Sequence, residues 1–327
     1  TINTNGNFEV QAIYNANAVT SNTFSNNTFA GSITTTSTTY LIYASSVTPL
    51  VNIIGNSISG SLTKGGASGT LYCYYNQGAT TSGVETITGN NFSNITSAGT
   101  GSICGINTWT FSGQNRVCHS NTISNWTTGS TGSVYGIYCL NSTNNEIYNN
   151  TVSNISCTAA GSLYGIYFSG INPTVYNNTI HTLTSASATT FYGMQCASTS
   201  SGTVNIYKNK IYGLVNNNSA STATNLLSGL AVTTNGATTN IYNNLIGSLT
   251  APASVSTEAI RGISLSTTTS STTINLSYNT VYLSASSTGA NFGTTGVYAS
   301  GSTTATTANL VMRNNLIQLL TEEARPV

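Results

Sequence analysis

A chain with 6 acidic side chains in 327 residues has little from which to build a catalytic centre. All six are glutamates, Glu9, Glu85, Glu146, Glu258, Glu322 and Glu323, and the histidines are His119 and His181. Glycoside hydrolysis needs two facing carboxylates, and these are scattered over both ends and several repeats. Repeat-bound calcium needs aspartate ladders, and there is no aspartate. One set has the right types for chemistry. Glu85 and Arg116 each stand five residues before a recurring Asn, and Glu146 stands four before its own. Stacked as Glu–Arg–Glu along one edge, they would suit a polysaccharide lyase, with acids to hold a cation or neutralise a uronate and a base to take the proton next to the carboxylate. The plainer reading is a surface charge ladder worth under about 1 kcal/mol per pair. His119 and His181 fall in different repeats, each without a partner. No nucleophile elbow, phosphate loop or metal-spaced His/Cys cluster is present, so no metal or cofactor is implied.

The elements that would position these residues are repeats. Ile147-Tyr148-Asn149-Asn150-Thr151-Val152 returns as Val175-Tyr176-Asn177-Asn178-Thr179-Ile180 and as Ile241-Tyr242-Asn243-Asn244-Leu245-Ile246. Anchored on Asn, the copies fall at Asn27, Asn56, Asn90, Asn121, Asn150, Asn178, Asn209, Asn244, Asn279 and Asn315, with spacings from 28 to 36 residues. Before each anchor lies a second motif, clearest as Val134-Tyr135-Gly136-Ile137-Tyr138 and Leu163-Tyr164-Gly165-Ile166-Tyr167. Short segments rich in Ile, Val, Tyr and Thr and broken by Gly and Asn are strands rather than helices. Three strands per lap of about 32 residues predict an all-β, right-handed parallel β-helix of about ten coils, on the order of 48 Å long, as a single domain over 1–327.

Alignment by anchors predicts the faces. Three residues before each anchor stand apolar residues such as Ile53, Ile87, Ile147 and Ile241, and two after it stand Phe92, Ile123, Val152 and Ile246; these columns are the expected core, closing with Met312 and Ile317. The Asn column predicts an amide ladder, because an unpaired buried amide costs about 1–3 kcal/mol. Tyr148, Tyr176, Tyr207 and Tyr242, two before their anchors, should point outward. So should a second stripe including Tyr135, Tyr138, Tyr164, Tyr167 and Tyr192. Stacking between coils is one role for them, and a sticky surface for a glycan or a second rod is the other. Of the six cysteines, Cys73 and Cys104 are the pair whose register would allow a disulfide, while Cys139 and Cys196, about 9.6 Å apart by strand spacing, share a column and cannot bridge.

The Asn-Asn-Thr-Ile and Tyr-Gly-Ile-Tyr frames resemble the pectate-lyase-like parallel β-helix superfamily. More narrowly, they resemble the Asn/Thr-rich β-helix repeats of bacterial secreted surface proteins common in Bacteroidota. The resemblance implies an extracellular or cell-surface location; the aspartate-rich clefts of that superfamily's enzymes have no counterpart here, so their activity is not implied. Charged residues are 4% of the chain and net charge is +1, which leaves no electrostatic footprint for nucleic acid. No apolar run is long enough for a transmembrane helix. The expected function is a non-enzymatic structural or adhesive subunit whose coils stack end to end into a fibre or layer, with Glu9, Glu322, Glu323 and Arg325 near the junction and glycans as further partners. A lyase or hydrolase is the alternative. Ice binding ranks third, because Thr runs such as Thr267-Thr268-Thr269 hold no single column.

Overall fold

The computed structural model describes residues 2–3, 8–78, 82–109, 114–159, 161–198, 202–219, 226–235, 238–267, 272–289, 291–301 and 307–320. Among them there is no helix, and the strands stack in parallel into a β-solenoid of about nine turns. One lap shows the plan: Ile103–Trp109 carries the glycine motif, Asn115–His119 leads to the anchor, and Thr122–Thr128 follows it. Each strand pairs in parallel with its equivalents in the laps on either side, as Asn115–His119 does with Val84–Thr88 and with the end of Ser133–Tyr148. The post-anchor strands form an 11-stranded sheet; the other two sets join into one of 18 strands. They join because the corner straightens in two laps, where Ser133–Tyr148 and Ser162–Tyr176 run as single strands of 16 and 15 residues instead of the two short strands expected.

The predicted core columns are buried, and one hydrophobic cluster extends from Val10 to Ala285. Its last lap departs from the expectation: Met312 is 43% and Ile317 40% exposed, because no described strand lies beyond them. The glycine of the Tyr-Gly-Ile motif is required by close approach rather than by a turn. A Cβ on Gly136 would sit 2.5 Å from the Gly165 carbonyl oxygen and 2.6 Å from a Val152 methyl.

The anchors form the expected ladder, and every link has the same sense. Asn121 Nδ2 donates to Asn150 Oδ1 at 2.9 Å, and Asn150 Nδ2 donates to Asn178 Oδ1 at 3.0 Å. The second Nδ2 proton of Asn150 goes back to the Cys118 carbonyl at 2.9 Å, and its backbone N–H joins Asn178 Oδ1 at 3.1 Å. The series runs unbroken from Asn27 to Asn315.

The first Asn of each Asn-Asn pair has a separate job. The residue before the anchor is left-handed in all laps, at φ 56° for Asn26, 54° for Asn149, 55° for Lys208 and 57° for Tyr278, with Gly55 at 63° and Gly89 at 65°. Only Gly and, at less cost than other residues, Asn adopt this conformation readily. Asn-Asn is therefore a turn residue followed by a rung. A second left-handed column, four after the anchor, bulges the post-anchor strands at Asn94, Asn125 and Asn154, whose amides form an exposed ladder of their own at 3.1 Å.

Candidate functional site

Glu85 and Arg116 are brought together, but inside the solenoid. In the pre-anchor strand the positions three and five before the anchor share one face, so Val51, Glu85, Arg116 and Asn145 form an inward column. Arg116 Nε donates to Glu85 Oε2 at 2.7 Å with both side chains fully buried. The other carboxylate oxygen accepts the Tyr74 hydroxyl at 2.6 Å and Asn76 Nδ2 at 2.7 Å, and Arg116 Nη1 donates to the Leu140 carbonyl at 3.0 Å. Burial, the largest single influence, works against the charge on Arg116, but the Glu85 carboxylate, joined by Cys139 and Tyr74, tips the balance and holds the guanidinium above its ordinary pKa.

The expected surface stack of Glu85, Arg116 and Glu146 is therefore corrected on two counts. Arg116 is paired across the lap boundary with Asn145, while Glu146 lies opposite Val117 on the outer side, where it accepts the Tyr176 hydroxyl at 3.0 Å. Stereochemistry decides this, since neighbours along a strand point to opposite faces.

The outward tyrosines form two different surfaces. On the pre-anchor sheet His119, Tyr148, Tyr176, Tyr207 and Tyr242 stack face to face with centroids 4.7–4.9 Å apart and planes within 2–5°. Their faces cover one another and they present edges, which suits the stacking role. On the glycine-motif sheet the rings form two side-by-side columns in mixed arrangements, some stacked, as Tyr135 on Tyr164 at 8° and Tyr40 on Tyr43 at 14°, and others tilted or edge-on. Tyr135 and Tyr138 lie 4.6 Å apart at 60°, and Tyr164 lies edge-on to both Tyr167, at 5.6 Å, and Tyr192, at 5.9 Å. Partial burial raises these phenols, Tyr135 to about 12, so these rings stay uncharged.

The sequence did not single out three groups, two of them on this flank. In the lap of Ile103–Trp109 both tyrosine columns are interrupted, Cys104 facing Tyr72 and Tyr135 and Asn107 facing Tyr75 and Tyr138. The interruption leaves a notch of about 300 Å³, with Trp109 at its edge. Farther along, the Arg261 guanidinium lies 3.4 Å from the centre of the Tyr298 ring and pairs with Glu258 at 2.6 Å. At a loop on another face, the buried Lys64 ammonium is held by the carbonyls of Thr35, Gly65 and Ser68 at 3.0, 3.3 and 3.0 Å. The breaks in the tyrosine columns were the available signal for the notch.

All six cysteines are free and buried. Cys73 does not oppose Cys104: it takes the inward position that Gly105 holds in the next lap, and Cys104 lies opposite Tyr72. Cys139 and Cys196 share a column, separated by Phe168. Among the described residues no group of three or more His, Cys, Asp or Glu comes together in a way that could hold a metal ion. Glu322, Glu323, Arg325, Thr268 and Thr269 lie outside the described residues. Compared with known proteins, the chain matches no family model, no curated protein and no solved structure.

Proposed function

We propose that this solenoid is a non-catalytic structural and adhesive protein, of the kind found among bacterial secreted surface repeats and akin in architecture to the pectate-lyase-like β-helices. It works outside the cell and holds neutral glycans or a neighbouring rod against its tyrosine flank. The observation that carries this reading is the double column of half-exposed tyrosines on a chain with 4% charged residues. Aromatic faces at such a surface suit apolar, uncharged ring faces. The mutual neutralisation of Glu85 and Arg116 in the core favours the non-catalytic reading over the lyase, since neither group reaches solvent.

Adsorption to insoluble neutral polysaccharides tests it. Binding should persist from low to high salt and fall at least tenfold when Tyr135, Tyr138, Tyr164 and Tyr167 are all changed to Ser. Adsorption unchanged in that variant would remove the reading, and release of unsaturated products from a polyuronate panel would replace it with the lyase.

Stacking of coils between molecules is a second reading, favoured by the single sense of the amide ladder. Asn27 offers a free face of acceptors and Asn315 one of donors, beside a lap that exposes Leu310, Leu316, Leu319 and Leu320 at 42–61%. Further repeats would cover such a face equally well. Sedimentation of the 327-residue chain separates the two: length growing with concentration supports stacking, and short rods alone at high concentration discard it.

A further inference from the structure

We infer that the break in the tyrosine columns at Cys104 and Asn107 is a binding slot for one pyranose ring of a neutral glycan. The inference rests on the adhesive reading above and adds a site and a ligand class to it. Elsewhere on this flank the rings follow one another at the lap spacing, Tyr135 and Tyr164 being 4.8 Å apart and Tyr138 and Tyr167 5.0 Å. Removing one pair of rungs separates Tyr72 and Tyr75 from Tyr135 and Tyr138 by two laps, about 9.6 Å. That gap admits a single ring at stacking distance from the faces on both sides. Its volume of about 300 Å³ lies at the small end of ligand sites, the size of a monosaccharide unit rather than a larger group.

The floor selects what enters. Asn107 is 6% exposed, lines the notch, and its Oδ1 has no hydrogen-bond partner. A buried acceptor left unpaired is unfavourable, so a ligand whose hydroxyl donates to it binds about tenfold tighter than one that cannot. Cys104 beside it points its thiol at the Ile106 carbonyl at 3.4 Å and offers no charge. The walls are phenols, and Trp109 at the rim is 46% exposed. A neutral ring with apolar faces and hydroxyl edges meets all of these at once, and a carboxylate or phosphate meets none.

Titration of the full chain with cellohexaose, laminarihexaose and mannohexaose, followed by Trp109 fluorescence and calorimetry, tests the slot. Trp126, the other tryptophan, is buried in the core and provides a steady background. At least one hexasaccharide should bind, and the double variant C104Y/N107Y, which rebuilds the missing rungs, should weaken binding at least tenfold with its melting temperature unchanged. Asn107→Ala should weaken it by about the same factor, and Tyr282→Ala, on another face, should leave it within twofold. Undiminished binding in C104Y/N107Y would overturn the slot and leave the adhesive flank standing. No binding of any neutral sugar by the unaltered chain would remove both. Binding of tyrosine amide or phenol in place of the sugars, blocked by the same double variant, would assign the slot to aromatic rings and overturn the glycan.

Discussion

At the scale of single residues, each Asn-Asn pair divides two tasks that look alike in the sequence. The first Asn tolerates a left-handed turn and the second makes four hydrogen bonds. Asn150 accepts from the backbone N–H and Nδ2 of Asn121 and donates to Cys118 and Asn178. Asn150→Ala strands several buried donors at once and should cost about 3 kcal/mol or more in denaturant unfolding. Asn27→Ala, at a half-exposed rung, should cost less than half as much, and equal losses would show that the rungs are not cooperative. At the turn position the laps differ in how well they are suited. Lys208 and Tyr278 occupy φ 55° and 57°, and Ser120 φ 56°, where the remaining laps have Asn or Gly. Lys208→Asn and Tyr278→Asn should each raise stability by about 0.5–1 kcal/mol. A loss in either would mean the side chain does more than endure its backbone.

At the scale of strands, the Glu85–Arg116 pair joins neighbouring laps through the interior as a buried ion pair. Removing one partner of a buried pair leaves an uncompensated charge, at a cost of about 3–5 kcal/mol, whereas replacing both is often tolerated. Arg116→Met should therefore destabilise more than the double variant E85Q/R116M, in which the amide still accepts the Tyr74 hydroxyl. The opposite order in chemical denaturation would show that the pair is held for its own attraction and not for mutual neutralisation. The glycine-motif strands carry a steric constraint of the same local kind. Gly136→Ala must displace either the next lap's backbone or Val152.

At the scale of the whole molecule, the buried phenols and most of the thiols shift upward, while Lys64 and Cys139 shift the other way. Burial raises the thiol of Cys196 to about 12 and the phenol of Tyr135 to about 12, and pushes up Tyr164, Tyr167 and Tyr192. In the unfolded chain thiols titrate near about 8.5 and phenols near about 10. The folded state thus holds protons that the unfolded state gives up. The resulting stability is complete below about pH 8.5 and is lost as pH rises toward about 12. The melting temperature should fall steadily above about pH 9, and phenolate absorbance should appear together with unfolding. A melting temperature flat to pH 11 would contradict this account.

The lap length, the amide ladder and the core columns were legible in the sequence because backbone pairing copies each position onto its neighbour in the next lap, so any constraint recurs along the chain. The same alternation carried the signal that turns Glu85 and Arg116 inward and Glu146 outward, five and four residues before their anchors, although the expected surface stack put all three on one edge. What the sequence could not supply was everything that depends on the corners. Tyr74 and Asn76 reach Glu85 from a strand on the other side of a bend whose course varies from lap to lap. The notch likewise exists only because one lap omits both rungs between laps that keep them, and its depth depends on the packing of rings on either side. Repetition makes the architecture a property of the sequence. The Glu85–Arg116 contacts and the cavity arise where repetition fails, and there only the packed tertiary structure decides which groups meet.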